Sequence, residues 1–321
     1  MKKIFLFAVA SAVVTLLYSC GKENIEPTPE VVDPVTEIDY SGPSFRVAFA
    51  DMRQADDSKA IFHTQDYMKL VYEDNDRIMV NGHEFVLHYV GGSWRAYATS
   101  SAGMTNDTLY GSSFACFYGK SPATELPHGS DAYSNVSFVG GEYTDADRSA
   151  FKHFTSGIVL AGTTTDSLIT LYPTFAVIRV ARGDVAQQFT LDHLSFGFDA
   201  DKVVKKGTVV PQAGTFPTIT GSPTYLKGVT HSTRPNPLTG ASMDVYTGEF
   251  LDANTADQDH GESTYEYHVL VPLASNSVTT NIYIKTKMML DGDSYLSYKK
   301  LENVTLERGV VYTFDVFDET H

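Results

Sequence analysis

The residue whose type and setting announce a covalent chemistry is Cys20. It closes the run Leu17-Tyr18-Ser19-Cys20, which has the large-apolar, any, small, cysteine order of a bacterial lipobox. In that chemistry the thiol takes a diacylglyceryl group and the chain is then cut on the N-terminal side of the cysteine. Cys20 becomes the first mature residue, and several acyl chains anchor it firmly because each buried methylene contributes roughly 0.8 kcal/mol. The segment before it fits an export signal. Lys2 and Lys3 form a positive n-region, and Ile4 to Leu17 is apolar but far short of the ~20 residues a spanning helix needs. An ordinary signal peptide with a cysteine near its end by chance is the alternative.

Other reactive residue types do not assemble into a site. His83 and His88 flank Glu84 as in a zinc-protease motif, but they are five apart rather than four. On a strand, an odd separation places them on opposite faces, so no joint metal site is expected. Asp74-Asn75-Asp76 and Asp257-Gln258-Asp259-His260-Gly261-Glu262 are oxygen-rich stretches of the kind calcium takes, without the EF-hand spacing, and read better as solvated acidic loops. No Gly-x-Ser-x-Gly elbow, phosphate loop or dinucleotide fingerprint occurs. Cys116 lies in an apolar strand with no adjacent base and reads as an inert core thiol. With Cys20 acylated it has no disulfide partner, so a packed core must supply the stability. Trp94 and the numerous tyrosines could stack on sugar faces, or fill a strand-rich core. The expectation is no enzyme, no metal and no cofactor.

The formal net charge of −15 becomes two units more negative once Lys2 and Lys3 leave with the signal. That excludes nucleic acid and anionic membrane surfaces as partners, since both need basic patches.

The elements around these residues are strands. From Cys20 to residue 44 the chain is rich in Pro and acid, as in Glu-Pro-Thr-Pro-Glu, and reads as a flexible tether. Beyond it the apolar period is two: Phe45, Val47 and Phe49; Phe85, Leu87 and Tyr89; Val310, Tyr312, Phe314 and Val316. Asn81-Gly82, Gly91-Gly92 and Asp291-Gly292 are hairpin turns, because their positions call for positive φ. No helical period runs beyond about two turns. The fold class is all-β with short helices only, and the length suits two β-sandwich domains better than one. The boundaries are a signal over 1–19, a lipidated tether over 20–44, an N-terminal domain over 45–182 and a C-terminal domain over 183–321. The run Ser167 to Val180 reads as two closing strands of the first domain, with Arg182-Gly183-Asp184 as the boundary.

The order of motifs along the chain resembles the fimbrillin family of Bacteroidales, subunits of type V pili. The carriers are Tyr72-Glu73-Asp74-Asn75-Asp76-Arg77-Ile78-Met79-Val80, where an aromatic and polar residues precede Asp and an apolar alternation; Phe114-Ala115-Cys116-Phe117-Tyr118; Gly157-Ile158-Val159-Leu160-Ala161-Gly162; Thr170 to Val180; and Leu306 to Val316 around Gly309. The likeness spans essentially the whole chain through individually loose motifs. Departures are Tyr72 where Trp is usual, Gly119-Lys120 where Pro is usual, and Arg308 where Pro often precedes the Gly. Cys20-Gly21-Lys22-Glu23-Asn24 matches the surface-display signal of that phylum only in part.

The resemblance implies two transthyretin-like Greek-key sandwiches in tandem, display on the outer membrane through the lipid on Cys20, and assembly into a fimbria by strand exchange. In that scheme an arginine-specific protease cuts just after the first strand, which leaves, and an extended segment of another pilus subunit takes its place by β-augmentation. The displaced side chains would be Phe45, Val47 and Phe49, on a detachable edge ribbon. Arg53, read as lying in a polar loop just past it, would be the cleavage site, with Arg46 less accessible inside the strand. The chain stops at Phe317-Asp318-Glu319-Thr320-His321 without a spare apolar strand, so a tip or accessory role is expected, with a host or bacterial surface molecule as ligand. Asp107-Thr108-Leu109 and Asp166-Ser167-Leu168 match a short O-glycosylation sequence of Bacteroidetes. A surface glycan-binding lipoprotein of a polysaccharide-uptake system is the alternative function.

Overall fold

The computed structural model describes residues 42–55, 70–99, 104–118, 136–139, 154–182, 190–235, 240–255, 265–290 and 293–314. Among them the chain is all-β with one short helix. Cys20 and most of the tether lie outside the described residues, as do Gly119-Lys120 and the Asp257 to Glu262 stretch.

Seven strands make a closed ring: β1 (Ser44–Phe49), β5 (Ser93–Ala98), β4 (His83–Val90), β3 (Arg77–Val80), β6 (Phe114–Tyr118), β8 (Thr155–Val159) and β9 (Leu168–Pro173), in that order and back to β1. Two tight turns set the register of its middle. Asn81 (φ 47°) and Gly82 (φ 81°) are both left-handed, which lets Val80 pair with His83; Gly91 (φ 59°) and Gly92 (φ 80°) do the same between Val90 and Ser93. The alternation read from the sequence places Phe45, Val47, Phe85 and Leu87 inside, with Ile78, Val80 and Cys116, whereas Tyr89, expected on the same face, is 61% exposed at the end of β4. Helix α1 (Asn106–Gly111) starts at Thr105, whose Oγ1 accepts from the Thr108 amide at 3.2 Å, and Tyr110 Oη donates to the Ser44 carbonyl at 2.6 Å.

The other described strands form four further sheets. One has the order β17 (Asn254–Thr255), β18 (Tyr265–Pro272), β10 (Phe175–Arg182), β21 (Val310–Phe314) and β2 (Arg53–Gln54). A second runs β16 (Phe250–Asp252), β11 (Thr190–Phe198), β19 (Ser277–Leu290), β20 (Asp293–Glu307). A third pairs β13 (Thr215–Tyr225), β12 (Val204–Gln212) and β7 (Val136–Val139), and a two-stranded ribbon joins β14 (Thr230–Pro235) to β15 (Ser242–Thr247). Ile178, Val180, Phe196, Phe198, Val271, Ile282, Ile284 and Leu306 fill the core between them. Asp291 and Gly292 lie outside the described residues, and the strands on either side pair at Leu290 and Asp293.

Two strand partnerships differ from the sequence reading. Of the run expected to close the first domain, β9 stays in the ring, whereas β10 bonds antiparallel to β18 and parallel to β21. Its residues Phe175 to Val180 are buried on both faces, so no alternation marks which sheet they join. β7, from the N-terminal half of the sequence, pairs with β12 from the C-terminal half. A third hydrophobic cluster, including Met79, Phe117, Phe175, Val177, Val204 and Val311, packs where the ring meets the other sheets.

Candidate functional site

β1 is where sequence expectation and geometry meet. Its apolar alternation is real: Phe45 and Val47 are buried, and Phe49 is half-buried at the ring's end. Phe45 sits 5.5 Å from the Phe85 ring, and Phe49 stacks on Tyr72 at 4.0 Å and 27°. Tyr72 in turn meets Trp94 edge-on at 6.0 Å, and Trp94 meets Tyr89 at 5.4 Å.

The expectation that β1 is an edge ribbon is corrected. β1 has a neighbour on each side, but it divides them. Ser44, Phe45 and Arg46 pair antiparallel with Tyr97, Ala96 and Arg95 of β5; Arg46 to Phe49 pair parallel with Leu168 to Leu171 of β9. The Ala98 amide donates to the Pro43 carbonyl at 3.0 Å, so Gly42 and Pro43, expected in the tether, already belong to the fold. At the far end the Ala50 amide donates to the Leu171 carbonyl at 2.8 Å. Arg46 alone is paired on both sides. β1 is therefore a seam: half an edge on β5, half an edge on β9, and the segment that closes the ring. Period two reveals which face a strand buries, not which neighbours it takes.

The crossover residue is a weak point. Arg46 lies directly opposite Arg95, and like charges across a ladder are destabilising. Arg95 turns to the 165–166 turn, donating to the Thr165 carbonyl at 2.6 Å with Asp166 at 4.0 Å. The Arg46 Nε is buried with no hydrogen-bond partner.

Arg53 is not in a loop. It opens β2, which runs parallel to β21 with Arg53 opposite Val310 and Gln54 opposite Val311. Its amide donates to the Gly309 carbonyl at 2.8 Å, and the Ala55 amide to the Val311 carbonyl at 2.9 Å. The guanidinium is 67% exposed and donates to Glu307 Oε2 at 2.8 Å. Exposed pairs of this kind contribute about 0–1 kcal/mol. A two-residue strand is too short to leave a periodic signature, which is why the sequence reads as a loop there.

The remaining candidates resolve locally. His88 is buried and its Nδ1 hydrogen-bonds Asp74 Oδ1 at 2.8 Å. The Asp74-Asn75-Asp76 stretch is an exposed turn built on one buried carboxylate: Asn75 has φ 68°, the buried Asp76 accepts the Glu73 amide at 2.9 Å, and the Asn75 amide and Asp76 carbonyl bond Leu87. This turn delivers Tyr72 onto Phe49. Among the described residues no group of three His, Cys, Asp or Glu could hold a metal. Cys116 is fully buried, and desolvation pushes its thiol far above the usual value. Trp94 packs partly on the ring's core, while Tyr89 beside it is 61% exposed. Thr108 is exposed, and Ser167 Oγ accepts the Thr164 amide at 3.0 Å.

Sequence reasoning missed Arg308. It is buried and donates to the carbonyls of Pro217 and Leu273 and, at 3.2 Å, to Asn276 Oδ1. Burial lowers its pKa to about 10. It ties β13 to the turn between β18 and β19 beside Gly309, whose φ of 68° and closeness to Phe216 favour glycine. An Arg before a Gly carries no sequence signal of burial.

No helix among the described residues is long and apolar enough to cross a membrane. No family model matches the chain, and no curated protein matches it. Solved structures of three Bacteroides proteins given a proposed role in cell adhesion are similar. That from Bacteroides ovatus has 11% identity and a TM-score of 0.44 over 86% of this chain and 93% of its own. That from Bacteroides uniformis has 11% identity and a TM-score of 0.44 over 85% and 93%. That from Bacteroides fragilis has 13% identity and a TM-score of 0.39 over 86% and 94%. At these values the likeness assigns no residue a role.

Proposed function

We propose that this chain is a non-enzymatic adhesive subunit of a type V fimbria, held to the outer membrane through lipid on Cys20, with β1 as a removable clasp. The reading takes its family from the motif order in the sequence, which also implies tandem transthyretin-like sandwiches. The observation that carries it is the divided partnership of β1: Phe45 and Val47 seal the core, yet each residue except Arg46 faces a partner strand on one side only. Withdrawing such a strand opens a slot between β5 and β9, lined by their unpaired backbone groups and by the pockets of Phe45 and Val47. A donated strand would satisfy both.

Cleavage after Arg53 fits the same reading. β2 is only two residues long and the ion pair of Arg53 with Glu307 is exposed, so local opening there costs little. Arg308 and Arg179 are buried, and Arg46 is inside the seam. Limited trypsin digestion with mass spectrometry tests this: the first cut falls between Arg53 and Gln54, with the released N-terminal fragment still bound. A first cut elsewhere among the described residues contradicts it. A tip or accessory position is part of the proposal, and self-polymerisation of the cleaved chain would refute that position.

A second reading, a surface glycan-binding lipoprotein, is favoured by the exposed Tyr89 beside Trp94 at the β4–β5 hairpin. Saturable retardation of the uncleaved protein in polysaccharide gels, lost in Tyr89→Ala, would support it over the fimbrial reading.

A further inference from the structure

Among the described residues the longest strand stands at the end of its sheet. β20 spans 15 residues, Asp293–Glu307, and bonds β19 on one side; among the described residues no strand takes its other side. Exposed edges invite pairing with another chain, and folded proteins guard them with lysines, bulges and prolines. On β20 these guards are unevenly placed. Lys299 and Lys300 stand at the middle of the strand, and the register break at Asn303 (φ 53°, its amide on Asn281 Oδ1 at 3.1 Å) follows them. The stretch before them, Asp293-Ser294-Tyr295-Leu296-Ser297-Tyr298, has none of these guards, and its Leu296 is 57% exposed.

The outward groups can be assigned. Leu290 and Asp293 are separated by two residues, so they form a hydrogen-bonded pair, and every second residue from Asp293 bonds β19. Ser294, Leu296, Tyr298 and Lys300 therefore turn their N–H and C=O away from β19. An antiparallel copy of the same strand meets this edge in register when Leu296 faces itself across a two-fold axis. Ser294 then faces Tyr298, and Asp293 faces Lys299, each twice. The lysine that guards the edge against other strands becomes the partner of an aspartate, so charge complementarity selects the identical chain.

We propose that β20 pairs with β20 of a second copy of this chain, antiparallel and centred on Leu296, extending the four-stranded sheet across a two-fold axis. About six backbone hydrogen bonds form. So short a ladder gives an interface at the weak end of the size range, populated at high local concentration. The inference rests on β20 alone and is independent of the reading of β1.

Cysteine cross-linking tests it on the full-length chain in detergent, at on the order of 100 µM to suit a weak interface. Every variant carries Cys20→Ser, so that only the introduced thiol and the buried Cys116 remain. Under mild oxidation Leu296→Cys gives a disulfide-linked dimer at least tenfold more abundant than Thr305→Cys, which lies exposed beyond those guards on the same strand. Mixing Asp293→Cys with Lys299→Cys chains gives a cross-linked dimer that neither forms alone. The absence of dimer, or equal yields at 296 and 305, overturns the proposal. So does a Leu296→Cys dimer without the 293–299 cross-link, because it breaks the register. An unchanged far-ultraviolet circular dichroism spectrum and melting midpoint in each variant confirm that the sheet is intact.

Discussion

If β1 seals the ring, its side chains should matter in proportion to how deeply each is seated. Phe45 has no exposed surface and lies against Phe85, so Phe45→Ala removes a whole buried ring; such truncations cost about 3–5 kcal/mol. Phe49 is half-buried and stacked on Tyr72, so Phe49→Ala should cost about 1–2 kcal/mol. The reporter is built in. Trp94, the one tryptophan of the chain, lies 6.0 Å from Tyr72 and follows the ring rather than the other sheets. With a urea dependence of about 3 kcal/mol per molar, Phe45→Ala lowers the midpoint of the Trp94 transition by about 1–2 M, and Phe49→Ala by less than half of that. An equal or larger shift for Phe49→Ala would refute the reasoning, because it would mean that the seam is held by its surface end and not by its core side chains.

Three further outcomes follow from the packing. Arg308→Met removes a buried donor from the carbonyls of Pro217 and Leu273 and should lower stability by about 2–4 kcal/mol, measured by the unfolding midpoint. Stability should fall as pH rises above about 9, because Cys116 and Tyr72 are held protonated in the fold while the unfolded chain releases their protons. Both folded pKa values are raised, so the stabilisation is complete below the unfolded values and is lost as pH climbs from there; Cys116→Ala should remove the earlier part of the loss in a pH series of melts. Gly157→Ala should destabilise by more than 2 kcal/mol in the same assay, since a Cβ there would sit 2.5 Å from the Thr170 carbonyl oxygen, a backbone atom that cannot swing aside.

Much of this fold could be read from local chemistry. Turn dipeptides fix two residues' φ at once, so Asn81-Gly82 and Gly91-Gly92 give their hairpins directly, and period two gives the buried face of β1, whereas β21 is buried on both faces and β4 on both over Phe85 to His88. What stayed hidden depends on long-range partners. Nothing in Phe45-Arg46-Val47 tells that β1 changes neighbours at Arg46, or that β10, apolar on both faces, joins β18 rather than the ring. The candidate site was half legible for the same reason: Phe45, Val47 and Phe49 could be named, while the seam that makes them separable is a property of β5 and β9. In the Tyr72 to Val80 segment, which carries part of the resemblance, the Asp76 turn sets Tyr72 against Phe49.

The most direct test of the clasp is strand replacement. The chain is cut after Arg53 and mixed with excess labelled peptide covering Gly42 to Ala50, and incorporation is followed by label retention together with Trp94 fluorescence. The account predicts that the labelled peptide displaces the native fragment and that the ring stays folded only while one or the other is seated. A fragment that never exchanges, or one that departs and leaves the ring's stability unchanged, would contradict it.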